Sequence, residues 1–171
     1  MAEVLLRHRL DELGVDARVA SAGLLQSGQP ASDHGVEILR GRGLDMTTHR
    51  SRAMSRDLLS SADLILGMAR EHVREAVVLD PALWPRTFTL KELVRRGEAV
   101  GPRRAQESLA DWLARVGQGR RISELTGSSP DDDVADPYGG PRTAYERMAT
   151  ELDGLIDRLV TVAFAGAFTR R

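Results

Sequence analysis

Apolar positions recur along the chain at two periods, and the switches between them mark its elements. From Met1 to Leu13 they fall at Val4, Leu5, Leu10 and Leu13, with Leu6 beside them. That spacing predicts a helix, and Gly14 is placed to close it. Val15 to Ala22 predicts a short strand around Arg18 to Ala20, ended by Ser21-Ala22-Gly23. Ser32 or Asp33 can cap a helix through Leu39 and Arg40, stopped by the Gly41 to Gly43 region. A polar connection containing Thr47-Thr48-His49-Arg50-Ser51-Arg52 follows, and Ser55 then caps a short helix over Asp57 to Leu59.

Ala62-Asp63-Leu64-Ile65-Leu66-Gly67-Met68 is the clearest candidate for a buried strand, an apolar run of parallel-sheet type. Arg70 to Val78 reads as helix, Thr87-Phe88-Thr89 as strand, and Lys91 to Val94 as a short helix. Gly97 to Pro102 reads as a linker-like break. Leu109, Trp112, Leu113 and Val116 mark an amphipathic helix ending at Gly117, and Thr143 to about Phe164 forms one long helix with an apolar stripe. Short strands alternating with helices predict an α/β fold with a small parallel sheet.

Composition narrows this picture. A chain of 171 residues that is 42% hydrophobic is expected to be one domain with a real core. A net charge of -1 argues against disorder and against a nucleic-acid partner. There is no apolar run of about 18 residues and no apolar leader, so a soluble, cytoplasmic protein without a membrane partner is expected. Cysteine is absent, which excludes disulfides, thiolate metal sites and a thiol nucleophile from these residues. Lys91 is the only lysine beside a large complement of arginine.

Most familiar site patterns are missing. No Gly-Lys-Ser/Thr phosphate loop occurs, and Gly41-x-Gly43 lacks the third glycine of a dinucleotide fingerprint. His8, His34, His49 and His72 are widely separated and read as surface or packing residues. Asp131, Asp132, Asp133 and Asp136 offer oxygen ligands for a hard cation, but without the spacing of a calcium loop they read as a charged rim. The following Asp136-Pro137-Tyr138-Gly139-Gly140-Pro141 stretch reads by itself as turn material. Its sharper reading is a rigid loop presenting a carboxyl and a phenol together. Such a carboxyl can act as general acid on a poor leaving oxygen, and the ring can stack on an aromatic substrate.

The order of these pieces resembles the low-molecular-weight protein tyrosine phosphatases. The similarity rests on Met1-Ala2-Glu3-Val4-Leu5-Leu6, Ser21-Ala22-Gly23, His49-Arg50-Ser51-Arg52, Ala62 to Met68 and Asp133-Val134-Ala135-Asp136-Pro137-Tyr138. The resemblance implies an α/β fold with a small parallel sheet flanked by helices on both faces, in one domain over residues 1–171 with an insertion at about 97–130. It implies hydrolysis of a phosphotyrosine monoester through a cysteinyl-phosphate, with no cofactor and no metal. The substrate would be a phosphotyrosine protein or a small aryl phosphate. Asp136 would be the general acid, Tyr138 the ring beside the substrate, and Ser21 and His49 supports of the phosphate loop.

In the family, Met-Ala-Glu follows directly on a Cys-x5-Arg-Ser/Thr-Pro loop and a first strand in the middle of the sheet, between strands matching 18–20 and 63–67 here. Neither the loop nor that strand is in this sequence. The expectation is that the natural chain starts upstream, that Met1 is an internal methionine, and that residues 1–171 are inactive as written. The alternatives are a non-catalytic pseudophosphatase that binds a partner through the Asp136–Tyr138 rim, or an arsenate reductase-like relative if upstream cysteines exist.

Overall fold

The computed structural model describes residues 1–25 and 27–164. They gather into two compact units: Met1–Ala53 with Ala135–Asp157, and Met54–Val134 with residues 158–164. The fold is α/β, with a small parallel sheet flanked by helices.

In the first unit, helix α1 (Ala2–Glu12) buries Leu5 and Leu10. It ends as the sequence predicts. Gly14 takes a φ of 65°, and the Gly14 and Val15 amides donate to the Asp11 and Leu10 carbonyls at 3.0 and 2.9 Å. These two bonds satisfy carbonyls that the helix itself leaves open. Ser32 caps helix α2 (Asp33–Arg40), accepting from the Gly35 amide. Ile38 of α2 packs with Tyr145 and Ala149 of the long helix α7 (Arg142–Phe164), beside Met1 and Met148. Arg42 adds polar fastening by donating to Asp153 and to the Ala149 carbonyl of α7.

The strand expected around Arg18–Ala20 does not form. Residues 16–20 show the alternation of a strand, exposed at Asp16, Arg18 and Ala20 and half-buried between. A strand exists only through its ladder, and the described residues offer this segment none. The Val19 carbonyl instead accepts from the Arg7 guanidinium at 3.1 Å. Further on, two isolated bridges, Gly23–Ala53 parallel and Pro30–Arg50 antiparallel, mark a short seam. Ser27 and Ser51 hydroxyls accept from the Ala53 and Gln29 amides across it.

The second unit holds the sheet. β1 (Ile65–Gly67) pairs in parallel with β2 (Thr87–Thr89), Ile65 opposite Thr87 and Gly67 opposite Thr89. β1 is shorter than the 62–68 run and only its last residue is fully buried. With β2 as its one ladder partner among the described residues, it lacks the two-sided cover of an interior strand. β2 is buried throughout. Helix α3 (Arg56–Ser60) is capped by Ser55. Helix α4 (Arg70–Leu79) packs on both strands and helix α5 (Leu90–Val100), capped by Thr89, on β2.

The break expected at Gly97–Pro102 is misplaced, because α5 runs through Gly97 to Val100 before Gly101 ends it. Gly97 serves close packing. A Cβ there would stand 3.0 Å from Trp112 Cζ2 and 3.1 Å from Val162. Helix α6 (Leu109–Val116), capped by Ser108, buries Trp112, Leu113 and Val116 against this glycine face. The Trp112 indole donates to the Gly101 carbonyl at 3.1 Å, so burying the ring leaves no polar atom unpaired.

A charged group lies inside this apolar layer. The Arg120 side chain is 2% exposed and meets Glu92 through two bonds of 2.7 and 3.0 Å. It also donates to the Thr87 and Trp84 carbonyls, and lies 3.8 Å from the ring centres of both Trp84 and Phe88. Burial lowers the guanidinium pKa, and the paired Glu92 acts against that effect. A buried cation with carboxylate, carbonyls and two ring faces has replaced most of what water offered it.

Candidate active site

The residues singled out by the sequence fall into two local arrangements of the first unit. One is centred on Glu3. It sits in the first turn of α1 with its side chain 13% exposed. Ser21 and Arg7 both donate to its carboxylate, and His49 Nδ1 stands 3.8 Å from Oε2. Burial would raise the Glu3 pKa, but the bonds from Ser21 and Arg7 and the nearby charges of Arg7 and His49 outweigh it, and the value is lowered. Ser21 and His49, 28 residues apart in sequence, are therefore joined by one ionised carboxylate. Sequence reasoning quoted Glu3 only as part of a matching string. An acid in the first turn of an otherwise apolar-faced helix was the available signal.

The second arrangement is the loop between Val134 and α7. Pro137 is buried while Asp136 is exposed and Tyr138 is 82% exposed. The Tyr138 amide donates to Asp136 Oδ1 at 3.0 Å, and the Gly140 amide to the Pro137 carbonyl at 2.8 Å. The aspartate thus closes an Asx turn over the proline. One carboxylate oxygen is occupied by backbone, on a residue that is otherwise exposed. Among the described residues, little covers the phenol ring.

Within the acidic run before this loop Asp131 is exposed, as expected of a charged rim, but Asp132 departs from that expectation. Asp132 is 7% exposed. Its Oδ2 accepts from Arg70 at 2.7 and 2.8 Å, and its Oδ1 from Arg95 at 2.9 Å. Asp133 accepts from the Arg70 and Ser129 amides, each at 2.8 Å. These oxygens are spent on arginines and amides. No group of three or more His, Asp or Glu among the described residues is arranged to hold a metal ion. His72 and His34 have local roles: His72 Nδ1 accepts from the Ala69 amide at the start of α4, and His34 meets Tyr145 edge-on at 5.4 Å. His8 lies on the surface near Glu12.

The family model described as low molecular weight phosphotyrosine protein phosphatase matches residues 1–100. The chain belongs to that family. A protein-arginine-phosphatase of Geobacillus stearothermophilus is 30% identical over 142 residues, covering 82% of this chain and 73% of its own length. A probable low-molecular-weight protein-tyrosine-phosphatase, EpsP of Ralstonia solanacearum, is 33% identical over 119 residues, covering 70% and 80%. Among solved structures, the low-molecular-weight protein tyrosine phosphatase from T. tengcongensis superposes with a TM-score of 0.69 at 32% identity, over 94% of this chain and 87% of that one. Among the described residues of this phosphatase-family chain, no helix is long and apolar enough to cross a membrane.

Proposed function

We propose that this chain carries the acid arm of a phosphotyrosine phosphatase site. The observation behind the reading is the Asp136-Pro137-Tyr138 turn, which frees one carboxyl oxygen beside an uncovered ring in a chain of this family. A thiolate attacks phosphorus and the bond from phosphorus to the phenolic oxygen breaks. Asp136 gives its proton to that oxygen, which otherwise leaves as an anion whose acid has a pKa of about 10. In the second half the Asp136 carboxylate takes a proton from water as the water oxygen attacks phosphorus, and inorganic phosphate and thiolate are released. Tyr138 lies against the substrate ring, and Ser21 and His49, joined through Glu3, support the loop that binds phosphate.

The thiol is not among these 171 residues, which hold no cysteine. By themselves they do not turn over a phosphate monoester by this route. Purified residues 1–171 are therefore expected to leave p-nitrophenyl phosphate intact. A chimaera carrying a relative's first strand and Cys-x5-Arg loop ahead of Met1 is expected to hydrolyse it. In that chimaera Asp136→Asn should slow turnover on the order of 10²-fold or more. Thiol-like turnover by residues 1–171 alone, or an unaffected Asp136→Asn chimaera, contradicts the reading.

A second substrate has support from the relatives named as protein-arginine-phosphatases, at 30% and 28% identity. An exposed tyrosine ring can take a guanidinium on its face as well as another ring. Parallel assays on phosphotyrosine and phosphoarginine peptides with the chimaera separate the two.

A further inference from the structure

We infer that Asp132, clasped by Arg70 and Arg95, is a positioning residue for the loop that carries Asp136. The inference rests on the acid role proposed for Asp136. It starts from an asymmetry in how the chain is held on either side of Val134. Upstream, residues 129–134 are fastened at several points by bonds to α4, α5 and one another. Arg70 binds one oxygen of Asp132 and Arg95 the other, and Arg95 also donates to the Asp131 carbonyl at 3.0 Å. Lys91 Nζ donates to the Pro130 carbonyl at 3.1 Å. Asp133 ties the Arg70 and Ser129 amides together, and the Val134 amide donates to the Met68 carbonyl at 2.7 Å. Downstream, residues 135–140 carry two internal bonds, Tyr138 to Asp136 and Gly140 to Pro137. The acid loop is a short, self-closed turn that leaves a heavily anchored stem.

Asp132 is the part of that stem with the most at stake. A buried carboxylate shared between two guanidinium groups has one oxygen for each, and burial costs it a good deal unless both stay engaged. Both arginines come from elements fixed by the sheet, Arg70 from the first turn of α4 and Arg95 from the middle of α5. The carboxylate therefore fixes the stem to two rigid helices at a point four residues before Asp136. An asparagine cannot replace it, because the amide has a single acceptor oxygen and turns an N–H donor toward the other guanidinium.

The absence of cysteine supplies a clean probe. Tyr138→Cys gives the chain a single thiol at an exposed position, and a nitroxide attached there reports how far the loop is ordered. The line shape of the otherwise unaltered chain, on a site with little side-chain contact, sets the reference for the backbone order of the loop. Asp132→Asn and, separately, Arg95→Met should each shorten the label's correlation time about threefold. Arg158→Met, which removes the paired Glu98 contact elsewhere in the same unit, should leave the line shape unchanged. Arg95→Met leaves Arg70 in place, so it gives a reading if Asp132→Asn does not fold.

Mobility unchanged in folded Asp132→Asn or Arg95→Met overturns the inference. So does equal loosening by Arg158→Met, because the clasp would then matter only through general stability. The measurement needs no turnover. A loop freed by Asp132→Asn, together with a chimaera insensitive to Asp136→Asn, would sink the catalytic reading and leave the clasp standing.

Discussion

Glu92→Leu removes the counter-ion of the buried Arg120 and keeps a side chain of similar size. The carboxylate supplies two of the four hydrogen bonds on Arg120 and also meets Arg96 at 3.1 Å. Without it two guanidinium groups face one another beside the Trp84 and Phe88 rings, one of them with a side chain 2% exposed. The two carbonyl bonds and the ring faces remain, so the loss falls short of stranding a bare ion. Removing one partner of a buried pair costs about 3–5 kcal/mol. That is a large share of the roughly 5–15 kcal/mol that holds a domain together. For a chain of this length it lowers Tm by about 10 °C. Urea unfolding followed by circular dichroism and tryptophan fluorescence reads the change, since Trp84 lies against the guanidinium. The double variant Glu92→Leu, Arg120→Met removes both charges and should regain most of the loss, since apolar residues of like volume replace such pairs at little cost. A single variant within about 1 kcal/mol of the parent, or a double variant no better than the single, would refute the reasoning.

Gly97→Ala should destabilise by about 1–3 kcal/mol in a thermal melt, because the new methyl meets Trp112 and Val162 at about 3 Å; a helix-propensity effect alone would stabilise. Glu107, held by Arg115 and by the Arg104 amide, has its pKa lowered from 4.5 to about 2. Its contribution is therefore complete above its ordinary value and disappears as pH falls through about 2. Glu107→Gln should melt below the parent at pH 7, and the gap should close toward pH 2; a gap independent of pH contradicts the pairing. Ser32→Ala should cost about 1 kcal/mol by freeing the Gly35 amide, read as loss of protection in the first turn of α2 by hydrogen exchange.

What proved legible in the sequence was whatever neighbouring residues decide among themselves. The caps at Ser32 and Ser55, the glycine ending α1, the stripe of α7 and the β2 strand are each written within a few positions. The Asp136-Pro137-Tyr138 turn is of the same kind, since its closing bond spans two residues. Gly97 was misread because a glycine that opens a turn and one that admits a neighbouring ring look alike until Trp112 is seen against it. Residues 18–20 had the period of a strand, but a ladder needs a partner that no local pattern specifies.

The charged residues mark the division most clearly. Read along the chain, Asp131-Asp132-Asp133 is a polar run with surface composition. In the tertiary structure Asp132 meets arginines 62 and 37 residues away and becomes a buried anchor. Glu3 likewise joins Ser21 and His49, and Glu92 meets Arg120. Whether a charge is a solvated rim, a clasp or a hub depends on which distant opposite charge replaces its water. The sequence alone determined most of the helices, the serine caps of α2 and α3 and the Asp136-Pro137-Tyr138 turn, because those follow from bonds a few residues long. Only the packed chain decided which carboxylates are buried among arginines and which stay exposed.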